Sequence, residues 1–442
     1  MSLLRLRASH NGEVHGVQSK HAAAASQTGM ERWSIQRNIP QDMVPYDQAI
    51  SDPYRAFSCK YWKPKQHQKQ SCDLLEGLIS FRPPIKTLFA SDILPGDVST
   101  DINNAEHVGS YNSTREREPT IIVPGSPPEW IDHPVPFTLE PDSKSRLLGE
   151  NPHCKTGTPL LSLMKAVDAA GTAVDWRSID VVTDRNILRR LMRWLVQSHQ
   201  PKDFRIDIEL GGDHTLLMNK CGPNVLLKHS KDARCFGFGF EGATTRNVEG
   251  CERSTGHYRI IKYECLGLSM IVRYEVDAYL PSAVPTVAKG SSISANKQFS
   301  PTTIASKSTV DTLNIIHAGR EIPQSSIIEI TTRSPRTRRQ RAELAPRLYL
   351  SQTPFLYIGM HKDGKSWEMR KKNVAEDIQM KHKEVETLQK LGQVLKVIRG
   401  IMVENSGKKL SVICEGETLK IYERIAKKSC LPEEVMKRFD VA

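Results

Sequence analysis

Glu275 and Asp277 lie two residues apart in RYEVDAY, where hydrophobic and polar residues alternate. Side chains at i and i+2 of a strand share a face. Met270, Val272, Tyr274 and Val276 then form an apolar face, and Arg273, Glu275 and Asp277 form the opposite one. Two carboxylates held so close repel each other unless a cation or a proton lies between them. A hard divalent ion such as Mg²⁺ satisfies both. The same alternation in IIEITTR puts Glu329 and Thr331 on one face, with Ile328 and Ile330 on the other. A strand of that kind beside the first brings Glu329 to the acidic pair. Glu241 ends FGFGFE, whose glycines allow backbone to approach a ligand closely. Carboxylates at this spacing also occur where they only face water, so the residues alone leave a metal site and a solvated strand both open. The arginine-dense RSPRTRRQR reads equally as a solvated loop or a localisation signal.

The elements that must carry these residues are legible from about 155 onward. LSMIVRYEVDAYL reads as one strand over 268–280, and strand pattern returns at Ser326–Ile330. Pro354 to Met360 reads as a buried strand. FRIDIEL alternates strictly, and Gly211-Gly212-Asp213-His214 turns it into Thr215–Met218 as a hairpin. Leu160, Leu161, Met164 and Val167 have helical spacing that Gly171 ends. Asp184 is placed to cap RNILRRLMRWL, with Arg189, Arg190 and Arg193 away from its apolar stripe. A helix over about 376–404 carries Val385, Leu388, Leu391, Leu395, Ile398 and Met402, and KLSVICEGETLKIYE closes as a hairpin at Glu415-Gly416-Glu417.

Around this core, residues 1–115 show no sustained period and read as an irregular region, with anchoring residues between Phe81 and Ile93. The domain then spans 116–430, broken by a flexible basic insertion over 281–325; residues 281–310 hold seven serines and no acid. The segments show no internal repeat. The net charge of +12 suits a polyanionic partner such as nucleic acid. Nine cysteines without a CxxC pair favour neither a zinc site nor a disulfide framework. No apolar run reaches membrane-spanning length, so no membrane partner is expected. The basic opening MSLLRLRASH fits a tail or a mitochondrial presequence.

Taken in order, FGFGFE, YEVDAY, IIEITT and APRLYLSQTPFLYIGMHKDG resemble the motifs of the decapping exoribonuclease family. Glu241, Glu275, Asp277 and Glu329 match its acidic positions, and Pro354 and Gly359 its later strand. VVTDRNILRRLM resembles the segment that carries the family's phosphate-contacting arginine, here Arg185, and FRIDIELGGDHTLLM the hairpin after it. The resemblance covers about 155–425. It implies an α+β fold, a mixed β-sheet core flanked by helices and related to metal-dependent nucleases, in a protein that removes faulty RNA 5′ ends (triphosphates, incomplete caps or NAD caps) in RNA quality control, with 5′–3′ exoribonuclease activity in many members. A 5′–3′ exoribonuclease as partner and a nuclear location, with mitochondrion or cytoplasm as alternatives, are further implications. The implied chemistry is phosphoryl transfer by two Mg²⁺ or Mn²⁺ ions. Glu275, Asp277, Glu329 and the Ile330 carbonyl would hold the ions, and Glu241 would bind metal or orient water. Arg185, Thr331, Arg333 and Arg347 would meet the substrate. Two departures stand out: Thr331 replaces the family's lysine, whose charge a hydroxyl cannot supply, and Arg347 replaces its glutamine. Arg333, two residues on from Thr331 on the same face, is placed to substitute for the missing charge. Two expectations follow: an active RNA 5′-end hydrolase, or a catalytically lapsed relative that binds RNA or scaffolds an exoribonuclease.

Overall fold

The alternating segments find partners in two sheets. The structure is a computed structural model, and it describes residues 74–142, 158–197, 203–221, 235–281, 313–335, 341–374, 382–425 and 428–440. Among these residues the larger sheet has eleven strands, and its middle runs Leu410–Glu415, Phe204–Gly211, Thr215–Cys221, Val181–Asp184, Leu268–Val276, Ser254–Cys265, Asn103–Thr114. A seven-stranded sheet has Lys365–Asn373, Phe355–Lys362, Ile327–Arg333 and Ala278–Tyr279 as successive neighbours.

Helices cover both faces of the larger sheet, which is why its central strands are buried on both sides. On one face, Ile187, Leu188, Leu191 and Leu195 pack with Leu388, Leu391, Leu395 and Ile398 against Ile206, Ile208, Met270 and Val272. On the other, Leu160, Leu161, Met164 and Val167 pack against Val182, Leu217 and Ile271. The helix Leu161–Ala170 does end at Gly171, whose φ of 70° is the left-handed value a glycine adopts without a Cβ penalty. Both expected hairpins are present, as Phe204–Gly211 with Thr215–Cys221 and as Leu410–Glu415 with Thr418–Glu423. The long helix is seen over His382–Glu404. None of the described helices is long and apolar enough to cross a membrane. The architecture is the expected α+β one, with mixed sheets flanked by helices.

Three expectations change. Regular structure begins before 116, because Lys86–Phe89 and Asn103–Thr114 belong to the larger sheet; residues 1–73 lie outside the described region. Of the insertion, 282–312 is likewise outside it, but Asn314–Gly319 is a strand paired parallel to Thr120–Gly125. The strand expected over 268–280 is two strands: Leu268–Val276 stays in the larger sheet and Ala278–Tyr279 joins the smaller one. Asp277 is the residue between them, and its Oδ2 accepts the backbone N–H of Ile330 at 2.8 Å. That carboxylate thus fastens the crossing chain to the Glu329 strand.

Candidate functional site

Strand register brings the chemistry-bearing residues to this crossing. Val181–Asp184 runs parallel to Leu268–Val276 with Asp184 beside Arg273, so the helix Arg185–Leu195 starts next to the end of the Glu275 strand. Asp184 occupies the cap position but makes no side-chain cap bond. Arg273 takes its carboxylate instead, with Nε and Nη2 donating at 2.7 and 3.1 Å. Ile327–Arg333 pairs parallel with Phe355–Lys362 and antiparallel with Ala278–Tyr279. The helix Arg341–Ser351 lies just before Phe355–Lys362, and it delivers Arg347 to Glu329 and Ser351 to Arg185.

Two guanidinium groups meet the carboxylates there. Arg185 is buried, and its Nη1 donates to Glu329 Oε2 at 3.4 Å and to Ser351 Oγ at 3.0 Å. Its Nη2 donates to the Glu275 carbonyl at 3.3 Å, and the group lies over the Tyr274 ring. Arg347 Nη2 is 3.6 Å from Asp277 Oδ1 and forms an ion pair with Glu329 Oε1. Arg347 is thus the ionic partner of buried Glu329 Oε1. Arg347 Nε is a buried donor without a hydrogen bond. Ser351 Oγ also donates to the Arg347 carbonyl at 2.8 Å, so one hydroxyl ties the two arginines together.

Burial sets the electrostatics. Glu329 is 2% exposed, and loss of water is the main force lifting its carboxyl from 4.5 to about 8. Arg347 and Arg185 oppose the rise, while the Asp277 carboxylate adds to it. Arg347 is held charged by Glu329, Asp277 and Glu275, in that order, against the pull of its own burial.

Glu275, Asp277, Glu329, Arg185 and Arg347 are therefore brought together, with Glu275 the exposed member. Thr331 and Arg333 lie half-buried further along the Glu329 strand, and Ile328 and Ile330 pack in the apolar cluster on its other face, as expected. Glu241 enters differently. It sits in the helix Gly237–Thr244, which packs on the Glu329 strand. Asp142 holds the helix start by accepting from the N–H groups of Gly237 and Gly239 at 3.1 and 3.0 Å. Close packing explains two glycines: a Cβ on Gly239 would stand 2.0 Å from the Glu140 carbonyl, and one on Gly359 2.4 Å from the Phe240 ring. Arg185, expected to meet phosphate, spends its Nη donors on Glu329, Ser351 and the Glu275 carbonyl, which makes it a positioning residue. Ser351 was not expected at all; a serine at the end of a helix carries no signal of its own.

Carboxylates and the Ile330 carbonyl are the donor type a hard divalent cation takes. As placed, they do not make a metal-holding set. Among the described residues no three His, Cys, Asp or Glu side chains approach closely enough to hold an ion, and Arg347 stands against two of the expected ligands.

Residues 88–440 match the family described as Domain of unknown function (DUF8563). No curated protein matches the chain. Solved structures do share its fold. Candida albicans Rai1 in complex with pU5-Mn²⁺ is 11% identical, with a TM-score of 0.53 over 80% of this chain and 98% of that one. S. pombe Rai1 in complex with 3′-FADP is 13% identical, with a TM-score of 0.51 over 76% of this chain and 99% of that one. Scheffersomyces stipitis Rai1 in complex with (3′-NADP)+ and calcium ion is 14% identical, with a TM-score of 0.50 over 80% and 99%. The fold is thus the one that the resemblance to decapping exoribonucleases implies.

Proposed function

The chain belongs to the DUF8563 family, and from that membership, the Rai1 fold and the arginine–carboxylate cluster we propose that it binds phosphorylated or nucleotide-capped 5′ ends of RNA. The observation that carries the reading is Arg347 at the sheet crossing: a charged side chain, a quarter exposed, held against Asp277 and Glu329. A terminal phosphate is an acceptor of the kind a guanidinium recognises. Proteins of the same fold hold pU5, 3′-FADP and (3′-NADP)+. The net charge of +12 favours a polyanion and supplies the less specific backbone contacts.

In this reading the protein binds the 5′ end without hydrolysing it, and a 5′–3′ exoribonuclease is the class of partner it would serve. Thr331 offers no positive charge beside Glu329, and Arg347 neutralises the carboxylates. The test is fluorescence anisotropy in chelator-treated buffer with one RNA oligonucleotide carrying either a 5′-triphosphate or a 5′-hydroxyl. Tighter binding of the triphosphate form, weakened by Arg347→Ala, is the expected result; equal binding of the two forms removes the reading.

A second reading, an active 5′-end hydrolase, is favoured by the retention of Glu275, Asp277 and Glu329 around one crossing. In that case Mg²⁺ or Mn²⁺ would supply Lewis-acid stabilisation of the phosphoryl group, held by those carboxylates and the Ile330 carbonyl. Release of pyrophosphate or nucleotide from 5′-triphosphate or capped RNA, abolished by Asp277→Ala, would establish it.

A further inference from the structure

We propose that Arg347 is the resident cation of the acidic cluster, and that its guanidinium, by standing against Asp277 and Glu329, keeps divalent metal ions out. This inference concerns metal binding and does not depend on RNA being the ligand. Its basis is a conflict of position. Magnesium needs oxygens at about 2.1 Å in a nearly octahedral arrangement. Arg347 Nη2 instead faces Asp277 Oδ1 at 3.6 Å and pairs with Glu329 Oε1. A guanidinium cannot lose its proton in a protein, so it cannot turn from competitor into ligand.

Displacing Arg347 is also opposed by its anchoring. Its carbonyl accepts from Ser351 Oγ at 2.8 Å, and the same hydroxyl accepts from buried Arg185 at 3.0 Å. Pro346, immediately before Arg347, stiffens the backbone that presents the side chain. What remains if the charge is taken away is a carboxylate cluster in want of a cation. Glu329, 2% exposed, would lose the cation that pairs with its Oε1. Asp277 would keep the Ile330 N–H at 2.8 Å on Oδ2 and lose the guanidinium that faces Oδ1.

The experiment is isothermal titration of MnCl₂ into the full chain, comparing wild type with Arg347→Gln and Arg347→Lys. Arg347→Gln is expected to bind Mn²⁺ at least about tenfold tighter than wild type, and Arg347→Lys, which keeps the charge, to behave like wild type. Thermal melting gives a second readout that needs no catalysis. Mn²⁺ should raise the melting temperature of Arg347→Gln and leave that of wild type unmoved. Wild type binding Mn²⁺ as tightly as Arg347→Gln would overturn the proposal, and so would folded Arg347→Gln that takes up no Mn²⁺. Failure of the RNA reading would appear separately, as the absence of 5′-end-dependent binding in chelator.

Discussion

Two buried clusters in this molecule pair carboxylates with arginines, and they are satisfied to different degrees. In the first, Asp207 Oδ1 accepts from Arg205 Nε at 2.8 Å and Ser411 Oγ at 2.6 Å, and Oδ2 from Arg424 Nη1 at 3.2 Å. Glu209 accepts from Arg424, from Ser429 Oγ at 2.6 Å and from the Cys430 N–H at 3.2 Å. Every carboxylate oxygen there has a donor. In the second, one guanidinium is shared: Arg347 pairs with Glu329 Oε1 and stands 3.6 Å from Asp277 Oδ1, beyond hydrogen-bonding distance. A complete set of protein donors marks a cluster whose work is to hold strands together. An incomplete one leaves acceptors and donors for something that arrives later.

The sharpest way to test that division is to remove a cation from each side. Arg424→Met should cost about 3–5 kcal/mol, because it removes the cation that buried Asp207 and Glu209 share, leaving Arg205 on one and the more distant Lys409 on the other. Urea unfolding reads the loss, and RNA affinity per unit of folded protein should not change. Arg185→Met should cost about 3 kcal/mol by the same mechanism, with weaker 5′-end binding as well, since Glu329 and Ser351 lose the group that positions them. If Arg424→Met abolishes end-dependent binding and Arg185→Met does not, the assignment of the two clusters is reversed.

A pH series separates them further. The folded-state value of Glu329 lies near 8 against an ordinary 4.5, so the native state binds its proton more tightly than the unfolded chain does. Stability from this group is therefore present at low pH and is lost as pH rises from about 4.5 to about 8. Melting temperatures of Glu329→Gln, which cannot ionise, should lack that decline and exceed those of wild type at the upper end. Smallest in effect, Asp142→Ala should cost about 1 kcal/mol by uncapping the helix that carries Glu241. A calorimetric change well beyond that would mean Asp142 does more than hold the Gly237 and Gly239 N–H groups.

The two clusters also show what the sequence could disclose. Asp207-Ile208-Glu209 and Glu275-Val276-Asp277 have the same alternation, and spacing alone could not say which was structural. The answer lies in residues far along the chain: Arg424, Ser429 and Cys430 for one, Arg185 and Arg347 for the other. Apolar faces were legible because periodicity is local. Met270, Val272, Tyr274 and Val276 all pack in one core, as their spacing predicts. The break at Asp277 was not legible, since nothing in YEVDAY announces that the strand leaves one sheet for another. Nor was the role of Arg347, which depends on where the helix Arg341–Ser351 comes to rest.

The most direct measurement of the central claim is a crystal structure of the full chain with a 5′-phosphorylated oligonucleotide. The terminal phosphate is expected within hydrogen-bonding distance of the Arg347 guanidinium, beside Asp277 and Thr331. A terminal phosphate held on the basic helix face of Arg189, Arg190 and Arg193, with Arg347 untouched, would contradict it.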